Sequence, residues 1–507
     1  MLAKVLSGAL KGVDAFIVSV EVDLAPGLPA FSVVGLPEAA VKESRDRVRA
    51  ALKNSGFKFP ANRITINLAP ADVRKEGTGF DLPVAVALLA AQGLIPPERL
   101  ERFLLFGELS LDGSLKPTRG VLSMALATRA AGLALILPRD NAPEAAVVKG
   151  LEAYPLASLA QTVEFLAGRE ELPPVASTIP ENLPWDPEDD LDFREVRGQE
   201  PVKRALLLAA AGGHNVLMVG PPGAGKTMLA QRLPTILPPL TFEEALETSR
   251  IYSIMGLLPP GQPLLTRRPF RAPHHTISDA GLIGGGSTPR PGEVSLAHHG
   301  VLFLDELPEF KRATLEVLRQ PLEDGRVTLS RAATTLTYPA RFMLVAAMNP
   351  CPCGFYGDPR RTCTCTPAQI NSYRARISGP LLDRLDLQVQ VPAVAFRELA
   401  AGPDGHSSRE LRERVLAARE RQARRFARTR IFSNAHMTPR LLKEHCALGE
   451  DSRRLLERAM ERLAFSARAY TRILKIARTI ADVEGEEAIA PAHIAEAIQY
   501  RSLDRTF

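Results

Sequence analysis

Three short apolar runs in the middle of the chain end abruptly in polar or glycine residues: NVLMVG at 215–220, GVLFLDE at 300–306 and RFMLVAAMN at 341–349. Unbroken runs of this length, separated by helical patterns, predict strands of a parallel sheet covered on both faces. Nearer the start the pattern changes to alternation, in AFIVSVEVDL, RITINLAP and ERFLLFGELSLDG, which predicts strands with one buried face. The stretch AAVKESRDRVRAALKNSG between them has helical spacing, so this first part reads as mixed α and β. From about residue 408 the pattern is helical to the end. No repeat of solenoid length is visible.

Residues 172–192, LPPVASTIPENLPWDPEDDLD, hold five prolines and six acidic residues with no basic one, a composition that resists helix and sheet and predicts an extended linker. The expected division is therefore 1–171, the linker 172–192, an α/β core at 193–395 and a helical domain at 396–507. A chain of 507 residues is expected to split in this way. Its 45% apolar and 24% charged content excludes a largely disordered or fibrous protein. No apolar stretch approaches the roughly twenty residues of a membrane span. The opening MLAKVLSGALKGVDAFIVSVEVD alternates and carries Asp14, Glu21 and Asp23, unlike a secretory leader. A cytoplasmic protein without structural disulfides is the expectation, and the net charge of +6 permits an anionic partner without requiring one.

GPPGAGKT, residues Gly220, Pro221, Pro222, Gly223, Ala224, Gly225, Lys226 and Thr227, fits G-x-x-x-x-G-K-[ST] between a predicted strand and the predicted helix TMLAQRL. In that context backbone N–H groups of the loop cradle phosphates, Lys226 reaches the β- and γ-phosphates of ATP, and the Thr227 hydroxyl ligates Mg2+. Asp305 at the end of VLFLDE is placed to hold the same ion, with Glu306 to orient and polarise a water. Asn349 ends a neighbouring run and supplies a third polar tip, able to reach the γ-phosphate or the water.

GQEPVKRALLLAAAGGHNVLMVGPPGAGKTMLA, FRAPHHTISDAGLIGGG, PGEVSLAHHGVLFLDELPEF and SGPLLDRLDLQV resemble the magnesium-chelatase-like AAA+ proteins of the YifB/ComM branch, nearly from end to end. The resemblance implies an AAA+ P-loop NTPase core with a helical lid, acting as a homo-hexameric ring. It implies that Arg384 reaches a neighbouring subunit's site and that Arg468 is a second sensor arginine; a surface ion pair is the plainer reading of each. KEGTGFDLPVAVALLAA and FGELSLDGSLKPTRGVLSMALATRAAGLALILPRDNAPEA resemble the proteolytic domain of Lon, a ribosomal S5-like fold. The nucleophile position of that frame falls on Gly79 and its lysine on Leu122, so no active protease is expected; Lys75 and Ser123 lie nearby.

The segment 323–339 reads as a hairpin turning near Arg331 and Ala332, and similarity to MCM helicases makes Arg326 and Arg331 candidate DNA contacts. Residues 409–430 carry nine arginines against three glutamates, which suits either a phosphate backbone or a solvated face. Family resemblance favours a motor on single-stranded or branched DNA, promoting branch migration or DNA integration in recombination or transformation. The rival is a chelatase-type or chaperone-like machine that remodels a protein partner. Cys351, Cys353, Cys363 and Cys365 form C-x-C, nine residues, C-x-C, enough for one Zn2+; metal-free packing and a redox switch are the alternatives. The pairs His274–His275 and His298–His299 suit packing or subunit contact better than metal. Cys446 reads as a buried filler.

Overall fold

The computed structural model describes residues 1–75, 77–177, 191–259, 261–286, 289–331, 334–394, 405–429 and 431–505. Most of the predicted linker, residues 178–190, and the predicted boundary at 395–396 lie outside these. The chain forms two compact units, Met1–Pro184 with Thr241–Leu265 and Ser330–Thr337, and Trp185–Leu240 with Thr266–Leu329 and Tyr338–Phe507.

The first unit is built on a seven-stranded mixed sheet. Its strands are β1 (Leu2–Lys11), β2 (Asp14–Ala25), β3 (Ala30–Val34), β4 (Arg63–Ala69), β5 (Phe103–Leu105), β6 (Ala134–Pro138) and β7 (Ala153–Leu156), in the order β3-β4-β2-β1-β5-β6-β7. The opening residues are thus a hairpin, with Lys11 paired to Asp14 and Leu2 to Asp23. Alternation along the strands sends successive side chains to opposite cores. Phe103, Leu105 and Ile136 join helices Ser44–Asn54 and Asp81–Ala91, whereas Leu104, Leu135 and Leu137 join helix Val121–Ala130. This second core also takes Leu264, Phe242 and Leu246 from the Thr241–Leu265 segment. Helix Phe242–Met255 is fixed there by Arg250, which donates to the Val13 carbonyl at 2.8 Å, and by Ser253, which donates to Glu144 at 2.5 Å.

Gly79 and Leu122, the two positions expected to align with a protease frame, are both closely packed. A Cβ on Gly79 would lie 2.2 Å from the Phe106 ring, and Leu122 is fully buried among apolar neighbours. Ser123 donates its hydroxyl to the Val13 carbonyl at 2.6 Å, and the buried Lys75 ammonium meets the Pro70 carbonyl.

The second unit holds a five-stranded, all-parallel sheet. Its strands are β8 (Val216–Val219), β9 (Phe270–Arg271), β10 (Val301–Leu304), β11 (Met343–Met348) and β12 (Leu387–Gln390), in the order β9-β10-β11-β8-β12. The three apolar runs are its central strands, wholly buried as predicted. One face presents Val216, Met218, Phe303 and Val345 to helix Glu200–Gly212 and the C-terminal helices; the other presents Leu217, Leu302, Leu304 and Leu344 to a separate core. The predicted hairpin forms from strands Arg326–Arg331 and Thr334–Pro339; its turn residues, 332 and 333, lie outside those described.

The arginine-rich stretch is helix Ser408–Phe426, opened by a capping box in which Ser407 accepts from the Glu410 N–H and Glu410 accepts from the Ser407 N–H. Leu411, Val415, Ala418, Gln422 and Phe426 form its buried stripe. Several arginines are used internally: Arg419 donates to the Ala210 carbonyl at 2.9 Å, Arg421 to the Asp482 carbonyl at 2.8 Å, and Arg425 to both Asp482 carboxylate oxygens at 2.5 and 2.7 Å. These arginines are engaged inside the fold, while Arg409, Arg414, Arg424 and Arg428 of the same stretch are exposed.

Candidate nucleotide site

Parallel strands deliver their C-terminal ends to one edge, and that edge is where open α/β sheets bind ligands. The GPPGAGKT loop follows β8, Asp305 and Glu306 follow β10, and Asn349 follows β11, which lies between those two strands. The three polar tips noticed in the sequence therefore converge because of strand order.

The loop is shaped by close backbone approach. A Cβ on Gly220 would sit 2.2 Å from the Val391 carbonyl oxygen, so no other residue fits there without displacing the chain after β12. The Gly220 N–H donates to the Met348 carbonyl at 3.2 Å, tying the loop to β11. Lys226 is buried and donates to the Gly220 carbonyl at 2.7 Å, the Pro221 carbonyl at 2.9 Å and Asn349 Oδ1 at 3.1 Å. Burial pulls its pKa down, and the carboxylates of Asp305 and Glu306 only partly restore it. Thr227 donates to Asp305 Oδ2 at 2.7 Å, so two hard oxygens adjoin, the donor set that suits Mg2+.

Glu306 adopts a left-handed backbone at φ 53°, unusual for a residue with a side chain, and leaves its carboxylate exposed. Its backbone N–H donates to Asp305 Oδ1 at 2.9 Å. The backbone N–H of Asn349 reaches the Tyr373 hydroxyl, whose pKa burial and Glu309 push up to about 12.

Two residues here escaped the sequence reading in these roles. His275 Nδ1 lies 3.5 Å from Glu306 Oε2; the FRAPHHT motif was the available signal. Gln199 donates to the Ala224 carbonyl at 2.8 Å and the Pro392 carbonyl at 3.0 Å, bracing the loop against the chain after β12.

The two arginines are not at the loop in this single chain. Arg384 is almost buried, pairs with Glu323 and donates to the Pro380 carbonyl at 2.5 Å. Arg468 is exposed and donates to Asp383 Oδ2 at 3.2 Å. Arg326 is exposed on the hairpin, and the side chain of Arg331 lies outside the described ones. His274 packs against His275 with ring centroids 4.1 Å apart and the rings tilted by 34°, and buried His298 accepts from the Arg341 N–H at 3.0 Å.

At the opposite edge of the sheet a buried charge cluster joins the helical region to the core. Asp386 accepts from the Asn215 N–H at 3.1 Å, pairs with Arg472 at 2.8 Å and lies 3.4 Å from His214 Nδ1. Burial alone would raise the Asp386 carboxyl, but Arg472 and His214 outweigh it and hold it well below the usual carboxylate range. His214 Nε2 meets Thr479 Oγ1 at 2.8 Å, and Lys475 is lowered to about 8, by burial first and Arg472 second. Asn215 also donates to the Arg384 carbonyl at 3.0 Å. Arg472 belongs to helix Ala467–Glu484, one turn after Arg468.

The cysteines follow Asn349 directly. Cys351 Sγ is 3.4 Å from Cys353 Sγ and 3.7 Å from Cys363 Sγ, with 3.6 Å between Cys353 and Cys363, and all four sulfurs lie within 4.8 Å of one another. A tetrahedral ion with Zn–S bonds of about 2.3 Å separates its sulfurs by about 3.8 Å, so the cluster fits one Zn2+. Cys446 is buried apart from them, and burial pushes its thiol up to about 12.

The model for magnesium chelatase, subunit ChlI, matches residues 192–399; those for subunit ChlI of Mg-chelatase and for the subunit's C-terminal part match 20–141 and 405–501. The chain is similar to competence protein ComM of Haemophilus influenzae, 46% identical over 512 residues that cover 99% of this chain and 98% of that one. It is similar to the uncharacterized protein YifB of Salmonella typhimurium, 47% identical over 99% and 98%. The magnesium-chelatase 38 kDa subunit of Rhodobacter capsulatus is 25% identical over 60% of this chain and 84% of that protein. With a Lys-Thr loop, an Asp-Glu strand end and Asn349 on one sheet edge, and likeness along both full lengths, this chain belongs to the YifB/ComM family of magnesium-chelatase-like AAA+ proteins.

Proposed function

We propose that the chain is an ATP-driven motor on DNA, working in the cytoplasm as a homo-hexameric ring that promotes branch migration or integration of DNA in recombination or transformation. The observation that carries this reading is the meeting of Lys226, Thr227, Asp305, Glu306 and Asn349 at adjacent strand ends. The name of the Haemophilus relative supports the pathway, and the exposed Arg326 supports the partner. The first unit is read as a Lon- and S5-like domain without protease chemistry, which its packed Gly79 and Leu122 support.

Lys226 and the N–H groups of the loop bind the β- and γ-phosphates of ATP. Thr227 and Asp305 would hold Mg2+, which would supply positive charge against the phosphate oxygens. Glu306 orients a water and takes its proton at the carboxylate, with His275 steadying that carboxylate. Asn349 aligns the water or the γ-phosphate. Arg468 reaches the nucleotide after exchanging Asp383 for phosphate, and Arg384 reaches the next subunit's nucleotide after releasing Glu323. The cysteine cluster takes a structural Zn2+ in this reading.

The test is ATP hydrolysis by the full chain with single-stranded, duplex and branched DNA, beside Lys226→Ala. Stimulation by at least one DNA, absent from the variant, is expected. Hydrolysis indifferent to all three would refute the DNA partner and point to chelatase-type or chaperone-like remodelling of a protein.

A further inference from the structure

We infer that the four-cysteine knuckle is a zinc site whose task is to brace the phosphate-binding loop, so that metal occupancy sets nucleotide affinity. The inference rests on the nucleotide-site reading above and extends it to a contact that the sequence does not show. Gly354 lies between Cys353 and the rest of the knuckle, at φ 87° and buried. A Cβ there would lie 2.6 Å from Pro222 Cδ and 3.1 Å from Cγ, so the knuckle's backbone rests on the third residue of GPPGAGKT. The same knuckle grows out of Asn349, whose side chain accepts from Lys226. One small loop thus touches the nucleotide site at two places.

Besides the sulfurs, this loop is shaped by local ties such as the Arg360 and Arg361 N–H groups donating to Asp358, with no apolar core of its own. Between Cys351 and Cys365 no helix or strand forms, and apart from Cys351 and Gly354 the residues are exposed or half-buried. A segment of this kind cannot order itself by apolar burial, and a bound ion supplies its folding energy. The surrounding groups suit thiolate ligands. Backbone N–H groups of Cys353 and Cys365 point at Cys365 Sγ and Cys363 Sγ, each at 3.4 Å. Arg361 lies 4.9 Å from the Phe355 ring centre and Arg374 5.3 Å from that of Tyr356, so two cations rest on rings of the loop whose four thiolates would keep a net negative charge with one Zn2+. Arg374 also donates to the Pro350 carbonyl at 3.2 Å, pinning the residue between the sensor and the first ligand. Three sulfurs at near-equal separations, with the fourth within 4.8 Å of each, match one four-coordinate ion better than two disulfides.

Two variants of the full-length protein separate the metal from the brace. Metal content is read by mass spectrometry, nucleotide affinity by a fluorescent ATP analogue with Mg2+, and folding by circular dichroism. Wild type should carry one zinc per chain. Cys353→Ser/Cys363→Ser should lose it and bind the analogue at least about tenfold more weakly. Gly354→Ala should keep its zinc yet also bind more weakly, because its methyl displaces Pro222. Zinc well below one per chain in wild type overturns the metal site. Full affinity in both folded variants overturns the brace. Failure of wild type to bind the analogue at all overturns the nucleotide reading itself, a result distinct from the other two.

Discussion

Asp386→Asn removes one charge from the buried cluster that joins helix Ala467–Glu484 to the strand sheet, with almost no change of shape. Asp386 is 1% exposed and its partner Arg472 keeps a quarter of its side chain in contact with solvent. Breaking a fully buried pair costs about 3–5 kcal/mol, and the partial exposure of Arg472 puts this case at about 3 kcal/mol or slightly less. At 1.4 kcal/mol per decade, the helix should open about a hundredfold more often. Hydrogen exchange read by mass spectrometry on peptides from 467–484 measures this directly. The pH dependence follows from the depressed carboxyl. The contribution is fully present above the unfolded value of roughly 3.9 and is lost only as pH falls through the lower folded value. The gap between wild type and variant should therefore persist from neutral pH down to about pH 5. Adding Arg472→Met, which removes the stranded cation, should recover much of the loss. Unchanged exchange in Asp386→Asn, or a double variant in which the two losses simply add, would refute the assignment of a coupled pair.

The nucleotide site yields further expectations. Glu306→Gln should retain nucleotide binding and lower hydrolysis by about 100-fold or more, read by binding and turnover in parallel. His275→Ala should lower turnover less than Glu306→Gln and leave nucleotide affinity unchanged; an equal or larger loss would make His275, rather than Glu306, the principal group. Mixing Arg384→Ala with Glu306→Gln should restore some hydrolysis if sites are shared between subunits, and no recovery at any ratio would place Arg384 outside the reaction. Gly220→Ala should abolish nucleotide binding, because its Cβ meets the Val391 carbonyl.

The sequence revealed this site well because its signals are local. Each apolar run identifies a strand, and the residues that end the run are those the sheet presents at its edge, so Gly220, Asp305 and Asn349 could be placed without knowing strand order. What stayed hidden depends on partners far apart in the chain. His214, Asp386 and Arg472 are unremarkable singly and become a cluster only when helix Ala467–Glu484 docks. Arg384 carries no mark of its pairing with Glu323. Arginines 419, 421 and 425 suggested a surface because composition says nothing about which way a long side chain turns, and these three cap carbonyls and one buried carboxylate. The contact of Gly354 with Pro222 is invisible for the same reason: it joins two loops whose spacing in sequence is unrelated to their spacing in the fold.

Helix Phe242–Met255 carries an order of events in its position along the chain. Its apolar side completes a core whose other walls come from residues before 160, yet it leaves the ribosome only after the GPPGAGKT loop has been made. The amino-terminal unit must wait, with that wall open, until Leu264 has emerged. A gene trimmed to begin at residue 193 would yield an orphaned greasy helix, so soluble fragments of this protein should be sought by removing 241–265 as well.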